Sequence, residues 1–206
     1  MVLLNTGRSY GNIPDEIMEG IPLDGFVSAL GSDVRFQGEK LFTQALSQEQ
    51  LRRIIEFHLE DGRYCVLEGE DDVFAINPRK KDRKKLVTSP DDFDELYSGS
   101  RISILAVHGE VSERERELFG DEFYFVEHPG YYECALKGCN KATGMEVVLD
   151  HLGKTAQDTI AMGDSMNDLD MLEYAGFSIA MENAVEEVKK ACDAVTRTVN
   201  EGGVAL

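Results

Sequence analysis

The residues best suited to chemistry lie in Asp158–Asp170, which reads DTIAMGDSMNDLD. An apolar run, Thr159–Met162, stops at Gly163, and Asp164, Ser165, Asn167 and Asp168 follow within five residues. The pattern predicts a buried strand that ends in a tight turn and passes into a helix. Two carboxylates four apart, with an amide between them, then face one point. Such an oxygen-rich cluster suits a hard cation such as Mg2+, which takes one or two protein carboxylates and fills its other sites with water and substrate phosphate. Helix N-caps also favour Asp, Ser and Asn. A cap needs only one such residue, so the surplus makes Asp164 and Asp168 metal candidates.

Two other stretches carry polar groups where a strand or helix would present them. Val2–Asn5 is a short apolar strand leading into the polar turn Thr6-Gly7-Arg8-Ser9-Tyr10. Cys139–Gly144 opens a helix whose apolar positions are Met145, Val148, Leu149 and Leu152, with Gly153 as its stop. Lys141 falls in that helix's first turn, where the dipole prefers anions. Its position points to a purpose beyond helix stability.

GDSMND, followed by Met171-Leu172, Ala175-Gly176, Ala180-Met181 and Asn183-Ala184, resembles the fourth motif of the haloacid dehalogenase-like hydrolases. More narrowly, it resembles the Cof-type sugar-phosphate phosphatase branch. TGRSY is similar to the family's second motif, and Lys141 to its third-motif lysine. The resemblance implies that Asp164 and Asp168 hold Mg2+ directly or through water and that Asn167 supports the phosphate pocket. It implies that the Thr6 hydroxyl bonds the transferred phosphoryl group, with Gly7 and Arg8 in the same binding turn. Lys141 would neutralise phosphate and nucleophile charge. Family members often carry Asn just before Gly31, and here the residue is Leu30.

The resemblance also implies the fold: a Rossmann-like α/β core with a parallel sheet, residues 1–37 and 128–206, interrupted by an α/β cap, residues 38–127, that covers the site and chooses substrates. The residues agree with an inserted unit. Ser47 with Gln50 forms a capping box and Gly62 a stop, and Leu51, Ile54, Ile55 and Leu59 follow helical spacing. Tyr64–Leu67, Val73–Ile76, Ile102–Val107 and Phe123–Val126 read as strands. Ser89-Pro90 and Ser112 with Glu115 open further helices. Tyr131–Leu136 reads as the strand returning to the core. Arg79–Lys85 holds six basic residues and one Asp, a solvated loop by preference and otherwise a patch steering anionic metabolites.

The family's attacking Asp belongs to a D-x-D-G-T motif at the end of the first strand, ahead of the TGR turn. It forms an aspartyl-phosphate, and the motif's second Asp serves as general acid and base. Met1 stands five residues before Thr6, which leaves no room for that motif. D-x-D occurs only at Asp92-Phe93-Asp94 and Asp168-Leu169-Asp170, neither of them after a buried strand. The 206-residue chain is therefore expected to be inactive or severely impaired as a Mg2+-dependent phosphatase. The alternative is an inactive protein that binds phosphometabolites or regulates through them. The missing strand would lie between those ending at TGR and GDS. Val2–Asn5 is thus expected to pair directly with Thr159–Met162 or to accept a strand from another chain, a strand-completing self-association.

A net charge of −18 and a pI of about 4.5 argue against nucleic acid and anionic membrane as partners. They leave a small phosphorylated metabolite open, because a bound cation inverts the local field. The four cysteines form no C-x-x-C pair and no signal peptide follows Met1, so reduced thiols and a cytoplasmic location are expected. The four histidines lack ligand spacing for zinc. No apolar run approaches the ~20 residues of a membrane span.

Overall fold

The computed structural model describes residues 1–78, 84–97 and 99–204. The first elements are β1 (Leu3–Asn5), α1 (Asp15–Gly20), β2 (Gly25–Ser28), β3 (Asp33–Phe36) and β4 (Glu39–Thr43). β1 and β2 are parallel, and β2, β3 and β4 follow antiparallel in one four-stranded sheet. Next come α2 (Gln48–Asp61), β5 (Cys65–Gly69), β6 (Val73–Ile76), β7 (Lys85–Leu86), α3 (Pro90–Tyr97) and β8 (Ile102–His108). With α4 (Glu113–Phe119), β9 (Phe123–His128) and β10 (Tyr131–Leu136) they build a six-stranded sheet of order β7-β6-β5-β8-β10-β9. The chain closes with α5 (Lys141–Leu152), β11 (Ile160–Gly163), α6 (Leu169–Tyr174), β12 (Phe177–Ala180), α7 (Glu186–Ala191) and β13 (Ala194–Val195). These last strands make a parallel sheet, β11-β12-β13.

Strand pairing moves both junctions expected from the sequence. Gln37 (φ 49°) and Gly38 (φ 82°) turn the chain back with two positive φ values, so β4 pairs with β3 and the first sheet extends to Thr43 instead of stopping at 37. Pro129-Gly130 likewise folds β10 onto β9, with β8 on its other side. Tyr131–Leu136 therefore belongs to the six-stranded sheet and is not a return strand, so the change falls after Leu136. Of the basic run, Arg79–Arg83 lies outside the described residues. Lys85 pairs with Asp72 at 2.6 Å and Lys84 Nζ donates to the Tyr64 hydroxyl at 3.1 Å.

The direct pairing expected between Val2–Asn5 and Thr159–Met162 is not formed. β1 and β11 are edge strands of separate sheets. β11 is consequently less buried than its apolar run suggested, with Ile160 70% exposed. What joins the two sheets is α5. Its Met145 packs with Ala161, Met171 and Leu172, while its Val148 packs with Val27, Val34 and Phe36. Gly144 makes that approach possible, since a Cβ there would overlap Val27 Cγ1 and lie 3.0 Å from the Gly31 Cα.

Alternation along β5, β6, β8 and β10 sends Cys65, Leu67, Phe74, Leu105, Val107, Tyr132 and Cys134 to one face of the large sheet, against α2, α3 and α4. Glu115 pins α4 there. Though 1% exposed, its carboxylate accepts from Ser112 N at 2.8 Å, Ser112 Oγ at 2.7 Å, Arg63 Nη2 at 2.6 Å and the Tyr132 hydroxyl. Burial would raise its pKa, but these donors outweigh that and hold it below the usual carboxylate range.

His58 on α2 is 4% exposed, with no hydrogen-bond partner on Nδ1 among the described residues, and burial depresses its pKa to about 4. The unfolded chain, with an ordinary histidine near pH 6.5, takes up a proton that the folded one refuses. Its contribution to stability is thus complete above pH 6.5 and is lost as pH falls toward 4, by about 3 kcal/mol. Urea denaturation at pH 7 and pH 4.5 is expected to show that loss in the wild type, and a His58→Leu variant to lose correspondingly less.

Candidate functional site

β11 ends at Gly163, and the chain turns through Ser165 into a short 3-10 turn, Met166–Asp168, before α6. Asp168 organises this turn. Its Oδ2 accepts from the backbone N–H of Asp164 and of Ser165, both at 3.0 Å, and the Ser165 hydroxyl lies 3.1 Å away. Its Oδ1 meets Lys141 Nζ at 2.5 Å, and the same ammonium donates to Asn167 Oδ1 at 3.1 Å. Both charged partners are nearly enclosed, Lys141 at 5% and Asp168 at 6% exposure. Burial pushes the Asp168 pKa up, but the Lys141 charge and the two N–H donors win and hold it below its ordinary value.

Lys141 is the first residue of α5. Asn140 caps the helix, accepting from Thr143 N at 2.8 Å while the Thr143 hydroxyl accepts from Asn140 N at 2.9 Å. Asn140 also donates to Asp170 Oδ2 at 2.9 Å, tying α5 to α6. A lysine ammonium at the positive end of a helix is offset here by the buried carboxylate that it meets.

The Thr6–Ser9 turn reaches the same place from β1. Asn5 Nδ2 donates to the Lys141 carbonyl at 2.9 Å, so the residue before Thr6 is bonded to the start of α5. The Thr6 hydroxyl accepts from Arg8 N at 3.2 Å, and its own proton has no acceptor among the described residues. Tyr10 anchors the far end of the turn, edge-on to Phe26 at 5.4 Å and beneath the Arg35 guanidinium at 3.7 Å. The turn 29–31 closes the arrangement: Ala29 N bonds Arg8 O, and Leu30 N bonds Thr6 O. Leu30 is left-handed (φ 53°, ψ 40°) but packs with Ile104 and Ala135, so leucine's burial offsets a strain of about 1–2 kcal/mol that asparagine would escape.

Asp164, unlike Asp168, is exposed. Its Oδ2 accepts from Asn183 Nδ2 at 3.0 Å, while Oδ1 has no protein partner among the described residues. Both oxygens of Asp168 are engaged. Among the described residues no three His, Cys, Asp or Glu side chains are grouped to hold a metal alone. The donors therefore fit a hard cation that takes one open carboxylate and completes its shell with water and phosphate, and they do not form a protein-only cage.

A cleft of about 270 Å3 opens beside this network, lined by Tyr124 and Val126 of β9 and by Lys141, Met166, Asn167 and Asp170. A roomier cleft of about 430 Å3, between Gly69–Asp72 and Tyr97–Arg101, contains none of the sequence-derived site residues.

The family model of haloacid dehalogenase-like hydrolases matches residues 1–206. The chain is a haloacid dehalogenase-like hydrolase. Among its relatives is the Bacillus subtilis (strain 168) 5-amino-6-(5-phospho-D-ribitylamino)uracil phosphatase YcsE, 43% identical over 206 residues, 99% of this chain and 79% of YcsE. YkrA of the same organism is 30% identical over 211 residues, 99% of this chain and 81% of its own. The solved structure of the HAD subclass IIB sugar phosphatase BT4131 superposes with a TM-score of 0.81 at 23% identity, over 98% of this chain and 82% of that one. This hydrolase thus spans about four fifths of each of the three.

The hydrolase fold draws Lys141, Asn167 and Asp168 into one bonded network, with Asp164 joined to it through its backbone N–H and Thr6 one residue from the Asn5 contact. Gly7 is buried in the same turn and Arg8 is exposed beyond it. Two supporting residues escaped the site reading. Asn183 was legible as part of the Met181–Ala184 run, but nothing in that run shows that it restrains Asp164. Asn5 looked like the last residue of a strand, and its link to Lys141 joins positions 136 apart in the chain.

Proposed function

We propose that this hydrolase is the phosphate- and metal-binding body of a Mg2+-dependent phosphatase for sugar phosphates or similar small phosphometabolites in the cytoplasm. The observation that carries this reading is the buried Lys141–Asp168 pair, whose lysine lines a cleft together with Asn167 and whose carboxylate holds the backbone of the exposed Asp164. Lys141 supplies a positive charge already held in place, which is what a phosphoryl group gathering charge requires. Thr6 offers a hydroxyl proton and the Thr6–Arg8 turn its backbone. Asp164 would hold the ion, with Asp168 fixing both the loop and Lys141. Mg2+, when bound, would offset charge on the phosphoryl oxygens. YcsE is named for a phosphate ester of a ribityl chain, which supports a polyol phosphate as the substrate class.

The 206 residues include no D-x-D-G-T sequence. Turnover through an aspartyl-phosphate would need that group from a segment outside these 206 residues. The second reading, a protein that binds phosphometabolites without turnover, is favoured by Asp168, whose two carboxylate oxygens are both taken up by protein donors.

Two readouts on the 206-residue chain test this. Calorimetry with inorganic phosphate in Mg2+ is expected to show binding that Lys141→Met weakens at least tenfold. Release of phosphate from p-nitrophenyl phosphate in Mg2+ is expected to stay at background. Absent phosphate binding overturns the proposed site, and Mg2+-dependent turnover overturns the inactivity.

A further inference from the structure

The face of the six-stranded sheet that α2, α3 and α4 leave open looks toward the Thr6–Ser9 turn. In the β9–β10 register Tyr124, Val126 and His128 stand opposite Ala135, Glu133 and Tyr131. Tyr124, Val126 and Ala135 pack with Ala29 and Leu30 of the adjoining turn, which settles the direction of this face. Glu133 shares it, and a Cβ placed on Gly7 would lie 3.1 Å from each of its carboxylate oxygens. The carboxylate thus rests on the middle of the turn. Glu68, on β5 beyond β8 in the same sheet, is already occupied, accepting from Ser9 N at 3.1 Å. Glu133 is not. His128 Nε2 holds its Oε2 at 3.2 Å, with the His128 ring stacked on Tyr131 at 4.5 Å, and Oε1 has no partner among the described residues.

We propose that Glu133 selects the leaving group, accepting hydrogen bonds from the hydroxyls of a sugar or polyol phosphate and repelling esters that carry a second anionic group. The inference rests on the phosphate site proposed for Thr6 and Lys141. The cleft beside Lys141 is walled by Tyr124 and Val126 of this same sheet face, so an ester whose phosphoryl group meets Lys141 lies against the face that carries Glu133. A carboxylate there is an acceptor only, so it rewards hydroxyl donors and penalises another carboxylate or phosphate. Neither the metal candidates nor Lys141 distinguishes esters in this way, since they address the phosphoryl group that all of them share.

Calorimetry in Mg2+ with three probes separates the possibilities: inorganic phosphate, a pentitol 5-phosphate and 2-phosphoglycolate. The wild type is expected to bind the pentitol ester at least tenfold more tightly than phosphoglycolate. Glu133→Gln keeps the shape and removes the charge, and is expected to bring that ratio within threefold while inorganic phosphate affinity changes less than twofold. Glu133→Asp keeps the charge with a shorter reach, and is expected to weaken the pentitol ester yet still reject phosphoglycolate. A ratio unchanged in Glu133→Gln, with phosphate binding intact, overturns the role of Glu133 alone. No binding of inorganic phosphate by the wild type overturns the underlying site and this role with it.

Discussion

Replacing Lys141 with methionine is expected to cost about 3–5 kcal/mol of stability at pH 7, the range for breaking a buried ion pair from one side. Methionine keeps most of the side-chain volume, so the loss reports charge and not a cavity. What remains is the Asp168 carboxylate, 6% exposed and deprived of its 2.5 Å partner. The backbone donors from Asp164 and Ser165 still reach Oδ2, but Oδ1 is left without compensation. Asp168→Asn in the same background removes the stranded charge and is expected to recover part of the loss, a coupling of about 1–3 kcal/mol in a double-mutant cycle. The acid dependence has a fixed sign. Asp168 ionises more readily folded than unfolded, so its contribution is complete above about pH 4 and disappears as pH falls through the depressed folded value. The gap between wild type and Lys141→Met should therefore close in acid. Urea denaturation across pH 3–7 measures it, and a deficit under ~1 kcal/mol at pH 7 would show the pair to be dispensable.

Gly31→Ala carries the second large effect, expected at about 3–5 kcal/mol. Gly31 has φ 87°, where an added Cβ is strained, and that Cβ would run into the carbonyl oxygen of Asn140. The same oxygen accepts the first helical bond of α5, from Gly144 N at 3.1 Å. Relief of the collision has to move the helix start, and Lys141 moves with it. Gly38→Ala separates the two causes. It has a similar φ of 82° with nothing within 4 Å of the new Cβ, so only the conformational cost of about 1 kcal/mol applies. Denaturant midpoints for the two variants, with phosphate affinity measured alongside, should show loss of both stability and binding at position 31 and a modest stability loss at 38. Equal effects at the two positions would remove the turn 29–31 from the account.

Much of this was readable because it is local. Ser47 with Gln50, Ser112 with Glu115 and the glycine stops at 62 and 153 declare helix ends through neighbours three or four residues away, and the structure has them. The crowding of Asp164, Ser165, Asn167 and Asp168 behind a glycine was legible for the same reason. Lys141 stood out because it opposes the helix dipole. Pairing between distant strands carried no such local mark. β1 and β11 were expected side by side, but an apolar run of three or four residues specifies a buried face and not a partner, and α5 rather than a ladder holds the sheets together. The junctions slipped because Gln37-Gly38 and Pro129-Gly130 each add a hairpin strand to an existing sheet. Asn183 and Glu133 act on residues far off in the chain, at positions whose neighbours give no hint of it.

The proposed function requires Thr6, Lys141, Asp164 and Asp168, drawn from three separate stretches, to serve one phosphate ester and one divalent ion. Backbone amide shifts of the 15N-labelled chain, followed while Mg2+ and inorganic phosphate are added, test it most directly. The largest changes are expected to fall together on residues 6–8, on Lys141 and on residues 164–168, and to saturate with a single affinity. Changes confined to one of these stretches, spread over the acidic surface, or absent altogether would contradict it.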